Sequence, residues 1–283
     1  MNAQAFNRAF VVGSLYGWQR VNDGTRRFRS AYVETGKGSG KSPLAAGIGL
    51  HGLTADGESR AEIYAAATKR DQAMILFRDA VAMFQQSPEL SKRLTSSGIG
   101  EKTWNLAYLA TGSFFRPIAA EQGKSGPRPH IALVDELHEH PTNEVIEFLR
   151  AGFKSRRQPL LFAITNSGHD KTSTCGQFHD YAIQVVAGNA QDDAFFAFVC
   201  SLDDGEDPFD NEACWPKVNP SLQEANLPGL DYLRQQVIEA RGLPSKQAVV
   251  RRLNFCEWTQ ALNPWLSPQI WTPAARDYTA ASL

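Results

Sequence analysis

Residues 34–42 read ETGKGSGKS, and they constrain the fold more than any other stretch of the chain. FRSAYVE (28–34) precedes the glycines and reads as a short strand. SPLAAGIGL follows and reads as a helix, with Pro43 in its first turn, where a missing N–H costs little. A glycine-rich loop between a strand and a helix turns backbone N–H groups toward phosphate oxygens, and the helix N-terminus adds positive potential there. On this reading Gly36, Gly38, Ser39 and Gly40 form the cradle. Lys41 reaches the β- and γ-phosphates, and Ser42 holds Mg²⁺. Thr35 stands where the usual motif has its first glycine. A chance glycine–serine loop would look much the same, so the loop needs partners elsewhere.

The first partner is HIALVDE (130–136), a continuous apolar run that ends in two acids. Such a run suits a buried parallel strand, and ligand sites of open α/β sheets lie at the carboxyl ends of the strands. Asp135 would support the Mg²⁺ shell, and Glu136 would orient and deprotonate an attacking water. The second partner is PLLFAITNSG (159–168), another buried strand ending in small polar residues. Thr165 and Asn166 would lie beside Asp135 and could sense the γ-phosphate; alternatively they cap the next segment. Loop, acids and small polar residues, in this order, point to nucleoside-triphosphate hydrolysis.

Other elements fill in the frame. AEIYAAAT (61–68) is strand-like, and Thr68 is a candidate cap for a helix beginning KRDQAMILF that Pro88 stops. TWNLAYLATGSFFRPIAA (103–120) alternates like paired strands with a turn at Thr111–Ser113. A helix is expected near 141–151. Strands alternate with helices over 28–190, which gives an α/β fold with a mostly parallel sheet. Beyond about residue 190 the texture changes. DDGEDPFDNE (203–212) is acidic and turn-rich. DYLRQQVIEARG (231–242) is a helix with Asp231 as its expected cap, SKQAVVRRLNF is a second, and Trp258, Trp265 and Trp271 lie among prolines.

Composition narrows the partners. The net charge of −1 means that any nucleic acid must be met by local basic patches. Candidates are Lys154, Arg156 and Arg157, or Arg251 and Arg252. Lys37, inside the loop, could stabilise transition-state charge, and Arg116, Arg128, Arg156 and Arg157 are candidates for an arginine finger given to a neighbouring subunit. The cysteines form no C-x-x-C pair, which fits a reducing compartment. No apolar run is long enough for a membrane span, and the start is too weak for a signal peptide, so a cytoplasmic location is expected. His138-Glu139-His140 suggests a metal pair but has no evident third ligand, and the acids of 203–212 do not match a calcium loop.

Taken together, ETGKGSGKS, AATKRDQA, the DELHEH that follows IALV, and AITNSG resemble the large subunit of tailed-phage terminases, the motor that packages DNA. ACWPKVNPSL and RRLNFCEW resemble the subdomain that follows the ATPase core. The resemblance implies an ASCE-type P-loop NTPase over 1–190 and a small, mainly helical connecting subdomain over 191–283. It further implies Mg²⁺-dependent ATP hydrolysis with Glu136, Lys41 and Lys37 as catalytic residues. Implied partners are double-stranded DNA, a portal protein and a terminase small subunit, with a homo-oligomeric ring on the portal and the host cytoplasm as location. FNRAFVV, with Asn7 and Arg8, stands where the family places its adenine-side segment. The family's nuclease domain normally begins soon after the stretch resembling NPWLSPQIW. The expectation is therefore an ATPase module that lacks the nuclease domain and has no nuclease activity. Two alternatives stay open: another nucleic-acid translocase or helicase-like ATPase, and an inactive truncated prophage remnant.

Overall fold

The computed structural model describes residues 3–119 and 126–259. The chain enters through helix α1 (Ala3–Gly17), then strand β1 (Ser30–Glu34), α2 (Lys41–Thr54), β2 (Glu62–Ala67), α3 (Arg70–Gln86) and the short α4 (Pro88–Arg93). β3 (Thr95–Ser97), β4 (Asn105–Tyr108) and β5 (Ser113–Ala119) form a meander. β6 (Ile131–Val134), α5 (Glu144–Ala151), β7 (Leu160–Thr165), α6 (Thr174–Val186) and β8 (Phe195–Val199) complete the main layer. α7 (Trp215–Val218), α8 (Leu222–Ala225), α9 (Leu230–Gly242) and α10 (Pro244–Phe255) follow as a helical subdomain.

One eight-stranded sheet runs β3-β4-β5-β2-β6-β7-β1-β8. From β5 to β8 every pairing is parallel; β3, β4 and β5 pair antiparallel at one edge. The sheet takes in β8, which lies past residue 190, where the texture of the sequence changes. β7 sits between β6 and β1, in register Val134↔Ala163 and Glu34↔Thr165. The strand that ends in Thr165-Asn166 therefore lies between the one that feeds the glycine loop and the one that ends in Asp135-Glu136.

Period-two alternation explains the two faces. Ala31, Val33, Phe162 and Ile164 pack with α1, α2 and α3, while Tyr32, Leu161 and Ala163 pack with α5 and α6. α2 lies very close to the sheet: a Cβ on Gly52 would come within 2.2 Å of Ile131. A third core, built on Trp215, Val218, Leu233, Val237 and Phe255, holds the helical subdomain together.

Two local expectations are corrected, and that for Pro88 is extended. Thr68 does not cap α3; its hydroxyl donates to Gln72 Oε1 at 2.6 Å, and Lys69 is the capping residue without a side-chain bond. Pro88 opens α4 as well as following α3, because Ser87 Oγ accepts the Leu90 N–H at 3.3 Å. Asp231 lies inside the first turn of α9 rather than at its cap. Asn226 Oδ1 takes the Leu230 N–H at 2.8 Å instead, and the Asp231 charge suits the helix dipole. Trp265, Trp271 and the NPWLSPQIW stretch lie outside the described residues. Within them no helix is long and apolar enough to cross a membrane.

Candidate nucleotide site

Three strand ends meet at one sheet edge. β1 delivers Thr35 and the glycine loop, β7 delivers Thr165 and Asn166, and β6 delivers Asp135 and Glu136. Beyond the strands, the Thr35 N–H still donates to Thr165 O at 3.3 Å, so loop and β7 leave the sheet side by side. Gly38 and Gly40 adopt φ of 84° and 77°, left-handed values that favour glycine. Thr35 is not among the positive-φ residues, so its side chain carries no backbone strain. A Cβ on Gly40 would meet the guanidinium of Arg8 at 2.1 Å and push that flexible side chain aside. The N-terminal helix thus lays Arg8 against the loop.

Lys41, the first residue of α2, folds its ammonium back under the loop. Nζ donates to Thr35 O (2.9 Å), Gly36 O (3.0 Å) and Asn166 Oδ1 (2.7 Å). Burial pulls the Lys41 pKa down, opposed by the charges of Glu136, Cys256 and Asp135. Asn166 keeps its Nδ2 buried and without a hydrogen-bond partner. That amide is a spare donor at the side of the site where Glu136 stands.

The two acids differ in posture. Asp135 is buried, and its Oδ1 accepts the Glu136 N–H at 2.9 Å. Burial pushes its carboxyl up to about 7, with the charge of Glu136 adding, and hydrogen bonds from Glu136 N–H and Ser42 pull the other way. Ser42 and Asp135 are therefore neighbours, two oxygen donors of the kind that hard divalent cations prefer. Glu136 sits at φ 45°, an uncommon conformation for a side-chain-bearing residue and one that re-aims its carboxylate. Its pKa is raised, mainly by burial. Glu136 Oε2 has no hydrogen bond; it lies 3.3 Å from His138 Nδ1. Burial, together with Arg252, Lys41 and Lys37, pushes His138 down to about 3, so the imidazole is neutral and this contact is no full ion pair.

The histidines of DELHEH are scaffolding. The His138 N–H donates to Thr165 Oγ1 at 3.1 Å, and His140 Nε2 is 3.1 Å from the Asp135 carbonyl. Both tie the exit of β6 to its surroundings. Among the described residues no group of three or more His, Cys, Asp or Glu could hold a metal ion. Thr165 serves His138, a contact across 27 residues that leaves no local signal in the sequence.

The helical subdomain closes over the loop. Gly36 N–H donates to Val218 O (2.8 Å) and Lys37 N–H to Leu253 O (2.7 Å). A Cβ on Gly36 would meet Asn219 Oδ1 at 2.2 Å, so only glycine permits this approach. Ser167 Oγ donates to the carbonyls of Arg252 (2.9 Å) and Glu257 (3.1 Å), and Trp258 Nε1 to Glu34 Oε1 (3.1 Å). Lys37 is exposed, and it shares a cavity of about 690 Å³ with Glu136, Asn166 and Arg252. Five of the six acids of 203–212 are taken up by cations. Asp203 and Glu206 meet Lys217, Asp207 meets Arg251, Asp210 meets Arg241, and Glu212 meets Arg234.

The other basic candidates lie away from this edge. Arg156 is ion-paired with Glu58 and Glu62, and Arg157 donates to Asp23 O, both before the start of β7. Arg128 precedes β6 and gives its N–H to Glu62, while Arg116 lies over the rings of Phe114 and Tyr64. None reaches the loop of its own chain.

Comparison with known proteins identifies the pattern. The family model described as terminase large subunit, ATPase domain, matches residues 6–184. The model described as terminase large subunit, endonuclease domain, matches residues 189–280. This second match corrects the expectation that the chain lacks the nuclease domain: that expectation placed the start of the domain after NPWLSPQIW, whereas the match begins at residue 189, close to where the texture of the sequence changes. The chain is 29% identical over 181 residues to protein YmfN of Escherichia coli, covering 64% of this chain and 37% of that protein. It is 24% identical over 276 residues to the large terminase subunit of Enterobacteria phage HK97, covering 96% and 51%. The chain thus spans about half or less of the length of these relatives. The crystal structure of the HK97 bacteriophage large terminase superposes with a TM-score of 0.75 at 21% identity, over 94% of this chain and 53% of that one. A Thermus phage large terminase ATPase domain gives 0.57 at 15%, over 88% and 98%. A large terminase from a thermophilic bacteriophage in complex with ADP gives 0.56 at 9%, over 88% and 52%.

Proposed function

Because the chain belongs to the terminase large-subunit family, we propose that it carries the ATP-hydrolysing motor of a viral genome-packaging machine and drives double-stranded DNA into a procapsid. The observation that carries this reading is the meeting of a half-buried lysine, a buried and a half-buried acid and an unpaired amide donor at the ends of β1, β6 and β7. These groups suit a magnesium-bound triphosphate. Asp135 has its charge disfavoured by burial, Glu136 Oε2 and Asn166 Nδ2 have no hydrogen-bond partner, and Lys41 carries a cation with only loop carbonyls and one amide to meet it. The ADP-bound structural neighbour supports a nucleotide ligand.

In this mechanism the backbone of Gly36, Gly38, Ser39 and Gly40 shapes the phosphate cradle. Lys41 exchanges its loop carbonyls for the β- and γ-phosphate oxygens. Ser42 and Asp135 would hold Mg²⁺, which would neutralise charge on the phosphates. Glu136 orients the attacking water and takes its proton as the bond to the γ-phosphorus forms, while the bond from that phosphorus to the β–γ bridging oxygen breaks and ADP leaves with the electron pair. Lys37 adds positive charge where the transition state gains negative charge. Asn166 contacts the γ-phosphate end, and the adjoining Ser167 bonds pass its state to α10. Thr165 holds His138 and with it the exit of β6. The partners are double-stranded DNA, a portal protein and a small subunit, with several copies in a ring, in the host cytoplasm.

The test is Mg²⁺-dependent ATP turnover by the purified chain, alone and with Lys41→Ala or Glu136→Gln. Equal turnover in all three proteins would sink the reading. Docking on a portal with DNA then tests translocation as a separate step.

A further inference from the structure

We propose that Arg252 is a phosphate-binding residue, delivered by α10 of the same chain to the γ-phosphate end of the nucleotide. The proposal rests on the ATP-hydrolysing reading of the site and adds a group that comes from the helical subdomain rather than from the sheet.

The neighbouring pair Arg251-Arg252 makes the case. Sequence alone offers both as contacts for DNA phosphates. Arg251 is already committed: it donates to Asp207 (2.9 Å to each oxygen) and to Glu257 (2.9 Å), and lies 4.1 Å over the ring of Phe209. Arg252, one residue on, points the other way. It lines the cavity that also holds Lys37, Glu136 and Asn166. Its guanidinium makes no hydrogen bond or ion pair among the described residues, although it is only partly exposed. Its charge acts on Glu136 and on His138. A half-buried guanidinium without a partner has given up part of its hydration for nothing in return, unless an anion completes it. Its flat fork of donors matches a phosphate better than an ammonium does.

Position fixes which phosphate. The cavity lies on the Glu136 and Asn166 side, where the terminal phosphate and the attacking water belong; Arg8 lies against Gly40, apart from this cavity. The α10 turn that bears Arg252 is pinned at two points. Leu253 O takes the Lys37 N–H at 2.7 Å and Arg252 O takes the Ser167 hydroxyl at 2.9 Å. One pin is on the phosphate loop and the other on the exit of β7. The guanidinium is therefore held against the two segments that meet the γ-phosphate, and its contact would be lost with that phosphate while the contacts to the remaining diphosphate persist.

The experiment compares the full chain with Arg252→Ala, Arg252→Lys and Arg251→Ala. It measures Mg²⁺-ATP turnover and calorimetric binding of a non-hydrolysable ATP analogue and of ADP. Arg252→Ala is expected to lower turnover about 100-fold, the scale for one group that stabilises transition-state charge. It should weaken the triphosphate analogue about tenfold and leave ADP within about twofold. Arg252→Lys should recover part of both losses, because it keeps the charge and loses the fork. Wild-type turnover in Arg252→Ala, or equal weakening of analogue and ADP, overturns the proposal. Arg252→Gln serves if the alanine variant melts early, and the same ratio decides. A wild-type chain that binds neither nucleotide overturns the proposed function as well. An active wild type with an indifferent Arg252 overturns this inference alone.

Discussion

At the end of β6 where the chain enters the sheet, Asp56 sits between Arg26 (2.7 Å) and His130 (2.6 Å), all of them almost wholly buried. At the end where it leaves, Asp135 is buried and Glu136 and Lys41 are half-buried, yet Asp135 and Glu136 have raised pKa values and Glu136 sits at a strained φ. Both ends spend solvation energy on burying charge. At the entering end a short, directed pairing within the protein offsets it. At the leaving end much of the compensation is missing, and a bound anion and cation would supply it. The contrast separates charges that hold the fold from charges that await a ligand.

The largest expected effects lie at the leaving end and concern rate. Glu136→Gln should cut ATP turnover by about 10²–10⁴, the range for a general base, while nucleotide binding persists in calorimetry. Lys41→Ala should remove tight nucleotide binding as well. At the entering end the effect should be on stability instead. Asp56→Ala strands two buried partners and should cost about 3–5 kcal/mol in denaturant unfolding, with turnover per folded molecule unchanged. A large loss of turnover in Asp56→Ala that does not track unfolding would break the comparison.

Asp135 gives a subtler test with a definite sign. Its folded pKa of about 7 is above the ordinary carboxylate value, so the ionised form is the one that folding disfavours. Stability should be higher at pH 5 than at pH 7 on its account, and should fall as pH rises from about 4 through about 7. Asp135→Asn should remove that dependence and stabilise the chain at neutral pH by ~1–2 kcal/mol, while Mg²⁺-dependent turnover collapses. A variant less stable than wild type at pH 7 would show that Asp135 is paired like Asp56. The smallest effect belongs to Thr35. Its hydroxyl makes only 3.4 Å contacts, to Gly36 O and Lys41 Nζ, and its backbone needs no glycine. Thr35→Gly should change turnover by less than about threefold and cost up to about 1 kcal/mol in chain entropy, read from the melting temperature.

Much of the fold and of the candidate site was legible from local chemistry. β1, β2, β6 and β7 show as apolar runs because buried parallel strands must be apolar on both faces. The glycines at 38 and 40 show because φ near 80° excludes most other residues. The acids at 135 and 136 show because a buried strand seldom ends in two carboxylates without a use. Cap assignments at Thr68 and Asp231 failed for one reason: several residues near each helix start can take the free N–H groups, and the geometry of the preceding turn chooses among them. β8 escaped notice because FFAFV lies beyond the change in texture, and only its pairing with β1 makes it part of the sheet. The endonuclease-model match from residue 189 ran against the resemblance, which put the start of that domain after NPWLSPQIW, and no local residue pattern between 189 and that stretch marks the family's second domain.

The sequence by itself determined the chemistry available: a phosphate loop that needs glycine, a lysine and serine at a helix start, two acids at a strand end, and their order along the chain. These are local requirements of φ, charge and apolar burial, and they are written in neighbouring residues. Tertiary structure alone decided which groups meet. Nothing near Arg251 and Arg252 shows that one pairs with Asp207 and Glu257 while the other faces Glu136. Nothing near Gly36 shows that α7 will pack against it. Those outcomes depend on how α10 and α7 dock across the sheet edge, and contacts between residues so far apart in the chain leave no local mark in the sequence.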